Sequence, residues 1–239
     1  MSTLHDFHIR DFFDKFDPHT NLIFWISMIK ESLKVAPKNS ERTILDFGCG
    51  DGKFLHLYKM IDAFKNGYGI ELDDSLLEKA NKIKTSDMNY AKYSQDFLNS
   101  KKDFFDIVYS QEVLYTIKDL KSHAKEIFDI LKPDSYYFAT MGSHIQNPLW
   151  SLRRTEIRKD YDSEKSHYYA YDYSLDEVTS IFYEAGFEVG LKRLPLDYFM
   201  VYHPKLTREF SNSFYDLTKT AEEEKMLFLF WKPYDKKDS

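Results

Sequence analysis

The run from Ile44 to Phe54, ILDFGCGDGKF, constrains this chain more than any other stretch. Ile44, Leu45 and Phe47 read as a short apolar strand, Gly48, Gly50 and Gly52 as a tight turn, and Leu55, Tyr58 and Ile61 as the inner face of a following helix. Glycines at alternate places let the backbone turn sharply and come close to a ligand, because no Cβ blocks positive φ. The helix start adds unpaired N–H groups, which suit a small anion. Asp46 is the unusual member, since an acid just before the glycines repels a pyrophosphate and favours a ligand that carries a cation beside its anion.

The segment D-x-G-x-G-x-G, Asp46 to Gly52, resembles the first motif of the class I S-adenosylmethionine-dependent methyltransferases. Their methyl donor carries an ammonium, a sulfonium and one carboxylate, and an acid combined with free N–H groups suits it. The resemblance implies cofactor contacts from Asp46, Gly48, Cys49 and Gly50, with S-adenosyl-L-homocysteine as the product. Glu71 stands about 20 residues past the turn, where an open α/β fold sets an acid near the ribose hydroxyls, and Leu72 follows it. Asp96 resembles the family's acid for the adenine amino group, and Phe97 its apolar partner against the ring. Ser110 and Gln111 close the apolar run that starts at Phe104, at the polar strand end where such sheets bind ligands. Ser110 to Leu114 resembles the family's fourth motif, yet lacks the proline-rich tetrapeptide of enzymes that methylate amino groups of DNA bases. That departure disfavours a base as substrate.

From Thr43 onward strands and helices alternate, which implies parallel strands with right-handed crossovers. The expected fold is α/β: a Rossmann-like, seven-stranded, mostly parallel sheet with helices on both faces, a helical N-terminal cap and a substrate lid. The cap spans 1–40, with Asp17-Pro18 as a helix start and Leu22, Ile26, Ile29 and Leu33 at helical spacing. The domain proper spans 41–239. Ser174 to Glu177 reads as a capping box and Gly186 as the end of that helix. Phe187 to Arg193 and Met226 to Trp231 read as the last strands, which the resemblance makes an antiparallel pair at one edge.

Two stretches break the alternation, 142–173 and 195–224, and connections this long inside a compact domain are usually functional. They supply the candidate substrate residues Trp150, Arg153, Arg154, Tyr171, Tyr198 and Tyr202, aromatic walls with a few polar groups that suit a small molecule. The two arginines suit a phosphate or carboxylate. His144, two residues past the fifth strand, is the candidate general base.

Composition narrows the rest. The chain has 239 residues, 43% hydrophobic and 30% charged, which fits one globular α/β domain with a lid. A net charge of −6 disfavours a nucleic-acid partner, which needs a clustered basic face. Cys49 is the only cysteine, so internal disulfides and cysteine-held clusters, including radical use of the same cofactor, are excluded. No basic start with an apolar run marks a secretory signal, and no window approaches the ~20 apolar residues that cross a bilayer. The cytoplasm and no membrane contact are therefore expected, with oligomeric state open. The expected activity is methyl transfer from S-adenosyl-L-methionine to O or N of a small polar metabolite, a sugar or phosphorylated cell-surface polysaccharide precursor being the finer expectation, without a metal. The alternatives are an RNA methyltransferase, an NAD-type oxidoreductase and a non-catalytic S-adenosylmethionine-binding regulator. The oxidoreductase pattern G-x-G-x-x-G fails at Lys53.

Overall fold

The structure is a computed structural model, and it describes residues 22–147, 150–152, 154–155, 169–195 and 225–234. The Asp17-Pro18 helix start, Arg153, Tyr198, Tyr202 and all of 195–224 beyond Pro195 lie outside the described residues.

Described elements follow in the order α1 (Leu22–Val35), β1 (Thr43–Phe47), α2 (Lys53–Ile61), β2 (Asn66–Glu71), α3 (Asp74–Ile83), β3 (Met88–Lys92) and α4 (Gln95–Asn99). Then come β4 (Phe105–Gln111), α5 (Leu120–Ile130), β5 (Leu131–Met141), α6 (Leu175–Glu184), β6 (Glu188–Arg193) and β7 (Met226–Lys232). The helix starts are the ones their side chains dictate. Asp73 accepts hydrogen bonds from the N–H groups of Ser75 and Leu76, and Ser174 from that of Glu177. Gly186, at φ 106°, closes α6.

The seven strands run in the order β3-β2-β1-β4-β5-β7-β6. β1 to β5 pair in parallel, whereas β7 lies antiparallel between β5 and β6. The fold is thus the Rossmann-like α/β sheet the sequence implied. Side chains alternate across the sheet, which divides the core in two. Ile44, Ile107 and Tyr109 pack with α1 and α2 on one face, while Leu45, Val108 and Tyr137 pack with α5 and α6 on the other.

Helix α5 ends at Ile130, and Leu131 passes straight into β5 and pairs with Phe105, two residues ahead of Pro133. The ladder is irregular there, between Phe105 and Ile107. Asp134 sits at φ 59° just after the proline.

The chain leaves β1 outward to β2 and β3, then returns to place β4 on β1's other side. That reversal opens a crevice beyond the carboxyl ends of β1 and β4, the usual ligand position in open α/β sheets. The two loops meet closely, since a Cβ at Gly48 would lie 2.6 Å from Cγ2 of Val113.

Candidate functional site

A cavity of about 850 Å³ occupies that crevice. Its floor is the glycine turn. Gly48, Gly50 and Gly52 take φ of 76°, 54° and 83°, the left-handed region that side chains disfavour. Nothing lies within 4 Å of where a Cβ of Gly50 would stand, so at that residue the backbone itself faces open space.

Asp46 reaches this cavity from the end of β1. It is 2% exposed, and its Oδ2 has no hydrogen-bond partner. Burial, reinforced by the charges of Glu71 and Asp51, pushes its carboxyl well above the usual carboxylate range. A buried acid without a partner costs free energy unless a cation answers it, and here it faces ligand space. The Cys49 thiol is likewise pushed up, by burial and then by Asp46 and Glu71, so it is a packing group and not a nucleophile.

Glu71 stands where expected, at the end of β2 and lining the cavity, but its carboxylate is already engaged. Oε2 accepts from the Gly50 N–H at 2.9 Å, and Oε1 from the N–H groups of Leu72 and Asp73 at 2.7 and 3.0 Å. Three donors fill most of the roughly four lone-pair positions of a carboxylate. Glu71 therefore braces the glycine turn, a role that the sequence did not signal.

Leu72, Gly48, Cys49, Gly50 and Gln111 also line the cavity. Ser110, Asp96 and Phe97 do not. Ser110 is fully buried between strands. Asp96 is exposed in the first turn of α4, and Phe97 packs against Tyr68, 6.4 Å between ring centroids. At that end Tyr93, Leu72 and Leu76 form the apolar wall in their place, with Ser122 and Glu126 from α5 opposite.

The described candidates from 142–173, His144, Trp150, Arg154 and Tyr171, gather behind the cavity rather than along it. His144 lies in a short 3₁₀ turn (His144–Gln146) at φ 42° and is 4% exposed. Its ring stacks on Trp150 at 3.8 Å and meets Tyr115 edge-on at 4.7 Å. Trp150 Nε1 donates to Asp172 at 2.8 Å, and Arg154 pairs with the same carboxylate. Of this cluster only Tyr115 lines the cavity. Tyr171 donates its backbone N–H to the Tyr115 carbonyl at 2.7 Å, and Tyr173 its hydroxyl to Ile117 and Lys118 carbonyls. His144, Trp150, Arg154 and Tyr171 thus hold the wall in place, and the left-handed turn at His144 packs its ring against aromatic neighbours.

The opposite end of the cavity joins residues from distant parts of the chain. Phe24 and Trp25 come from α1, Glu112 from the loop after β4, Thr140 from β5 and Lys225 from the approach to β7. None was named as a candidate site residue in the sequence, although Glu112 falls within the Ser110 to Leu114 segment. Among the described residues no group of three or more His, Cys, Asp or Glu side chains is placed to hold a metal ion, and no helix is long and apolar enough to cross a membrane.

His123, on α5, lines the cavity beneath Phe47. It is 2% exposed, its Nε2 lies 3.2 Å from the Tyr137 hydroxyl, and burial lowers its pKa to about 3. A base depressed on folding contributes stability that is complete above its unfolded value, near 6.5, and is lost as pH falls towards the folded one. Wild-type protein should lose roughly 3 kcal/mol more than His123→Gln between pH 6.5 and 4, read by urea denaturation. Parallel pH profiles would contradict a neutral buried imidazole.

Residues 25–191 match the family described as a methyltransferase domain. Among curated protein sequences none matches. A putative methyltransferase of Haloferax volcanii, solved in complex with the Trm112 methyltransferase activator, is 19% identical with a TM-score of 0.64, over 87% of this chain and 90% of that one. An S-adenosylmethionine-dependent methyltransferase from Mesorhizobium loti is 16% identical with a TM-score of 0.60, over 85% and 97%. Phosphoethanolamine N-methyltransferase 2 of Haemonchus contortus, solved with phosphomonomethylethanolamine and S-adenosylhomocysteine, is 18% identical with a TM-score of 0.61, over 94% of this chain and 60% of that one.

Proposed function

This chain belongs to the methyltransferase-domain family and is a class I S-adenosylmethionine-dependent methyltransferase; on that premise we propose that it methylates O or N of a small polar metabolite. The observation that carries the cofactor's placement is Asp46, a buried carboxylate with an unpartnered oxygen facing the cavity. When bound, S-adenosyl-L-methionine supplies a methyl group already activated on a cationic sulfonium.

The protein's own residues bind, align and enclose. Asp46 would take the methionyl ammonium, and the cavity-facing backbone at Gly50 leaves room for the ligand to approach. Glu71 would receive a ribose hydroxyl while keeping the glycine turn braced through the Gly50 N–H. Tyr93, Leu72 and Leu76 would flank the adenine, the task first expected of Asp96 and Phe97.

The acceptor would enter at the end formed by Phe24, Trp25, Tyr115 and Thr140. Methyl transfer from a sulfonium is an in-line displacement, so positioning and exclusion of water are most of what the chain must provide, and the reading calls for no metal. A hydroxyl acceptor would also need a base. His144 could serve only through Tyr115, which stands between it and the cavity. A phosphorylated or sugar-like acceptor remains the finer proposal. It draws support from the phosphorylated ligand of the Haemonchus structure, not from Arg154, which Asp172 already occupies.

The isolated chain, given methyl-labelled cofactor and separate pools of small metabolites and transfer RNA, should label the metabolite pool. Label only in RNA would overturn the acceptor class, and no label in either would favour a binding subunit without catalysis.

A further inference from the structure

Among the described residues lining the cavity there are six carboxylates, Asp46, Asp51, Glu71, Glu112, Asp119 and Glu126, against two lysines, Lys118 and Lys225. Lys118 adjoins Asp119 on the loop into α5. Lys225 stands apart from it at the acceptor end, just before β7.

Lys225 is enclosed: its side chain is 11% exposed and that of Glu112 is 27% exposed. Its Nζ lies 3.2 Å from Glu112 Oε1 and 4.2 Å from the centroid of the Phe24 ring. The Glu112 contact is an ion pair without hydrogen-bond geometry, since Oε1 counts no donor. Among the described residues the ammonium therefore has donors to spare. Burying an ammonium beside one carboxylate and one ring leaves it short of hydrogen bonds, which is tolerable where a ligand completes the shell.

Glu112 is held there by a backbone that a carboxylate side chain rarely adopts, φ 57°, while its N–H donates to the Thr140 carbonyl at 3.1 Å. Non-glycine residues in this region cost about 1 kcal/mol or more and gather at ligand sites. From this position Glu112 reaches Lys225 at the approach to β7.

We infer that Lys225, steadied by Glu112, is the seat for an anionic group, carboxylate or phosphate, on the methyl acceptor. The inference rests on the methyltransferase reading above and narrows its substrate class. A cationic acceptor would meet the position between Glu112 and Phe24 already filled by the protein's own ammonium, whereas an anion gains a partner there.

The test uses the full chain saturated with S-adenosylhomocysteine, titrated at constant ionic strength with inorganic phosphate, acetate or tetramethylammonium. Calorimetry reads binding, and Trp25, which lines the cavity, gives a fluorescence readout. Phosphate or acetate should saturate, the tighter naming the acceptor's group. Lys225→Met should weaken that binding by about tenfold or more while leaving S-adenosylhomocysteine affinity unchanged. Glu112→Gln should tighten it about two- to tenfold, because the competing carboxylate is gone. A purely structural ion pair would not produce that rise, and this arm decides if Lys225→Met folds poorly. Saturation by tetramethylammonium alone, no saturation by either anion, or anion binding indifferent to both substitutions would overturn the inference. Failure of S-adenosylhomocysteine itself to bind would instead sink the placement of the cofactor site.

Discussion

Asp46→Asn should yield a ligand-free protein more stable than the wild type and a cofactor complex far weaker. The two effects have one cause. The folded carboxyl titrates above its unfolded value, so its favourable contribution to folding is complete only at low pH and is lost as pH rises through the folded value. At neutral pH the wild-type apo protein thus carries a cost that a neutral amide of the same shape removes. The cofactor's ammonium needs the carboxylate, and removing one partner of a buried charge pair costs roughly 2–5 kcal/mol, or about 30-fold to several thousand-fold in affinity. Urea denaturation without ligand and calorimetry with S-adenosylhomocysteine check both signs. In the wild type, binding should also strengthen as pH rises, because the ammonium draws Asp46 into its ionised form. Unchanged affinity in the variant would remove Asp46 from the site.

Gly52→Val should destabilise the protein strongly, whereas Gly50→Ala should largely spare the fold and damage binding. A Cβ at Gly52 would stand 2.9 Å from Ala80 and from the Tyr90 ring, whose hydroxyl donates to the Gly52 carbonyl at 2.9 Å. Overpacking there and a β-branched residue at φ 83° together cost roughly 2–5 kcal/mol. At Gly50 no atom obstructs a Cβ, so the penalty is the left-handed backbone alone, about 1–2 kcal/mol, with the new methyl group pointing into ligand space. Thermal unfolding combined with S-adenosylhomocysteine titration separates the two. Equal stability losses would mean that the turn is framework throughout.

The contrast between Asp46 and Lys225 marks how far the sequence could be read. Asp46, the glycines, Glu71 and Leu72 were legible because their spacing is local: one strand, one turn and the next strand end bring them together whatever else the chain does. The sheet was legible for a similar reason, since apolar runs such as Phe104 to Ser110 alternate with helices at regular intervals. Lys225, Glu112, Thr140 and Phe24 meet only through the order β4-β5-β7 and the packing of α1, and no short-range pattern in the chain records that meeting. Asp96 and Phe97 are the opposite case, local matches that the structure leaves outside the cavity lining. Their position after the third strand matched the family pattern, but the Ser94 cap starts α4 so that Asp96 points to solvent and Phe97 to Tyr68. His144 follows β5 with two residues between, yet a single left-handed residue and the Trp150 stack set it behind Tyr115.

The structure of this chain bound to S-adenosylhomocysteine tests the central claim most directly. The account predicts the methionyl ammonium within hydrogen-bond reach of Asp46 Oδ2, directly or through one water, the ribose at Glu71, and the vacated methyl position facing Tyr115, Thr140 and Lys225. A ligand that turned its carboxylate towards Asp46, or that bound outside the crevice between β1 and β4, would contradict it.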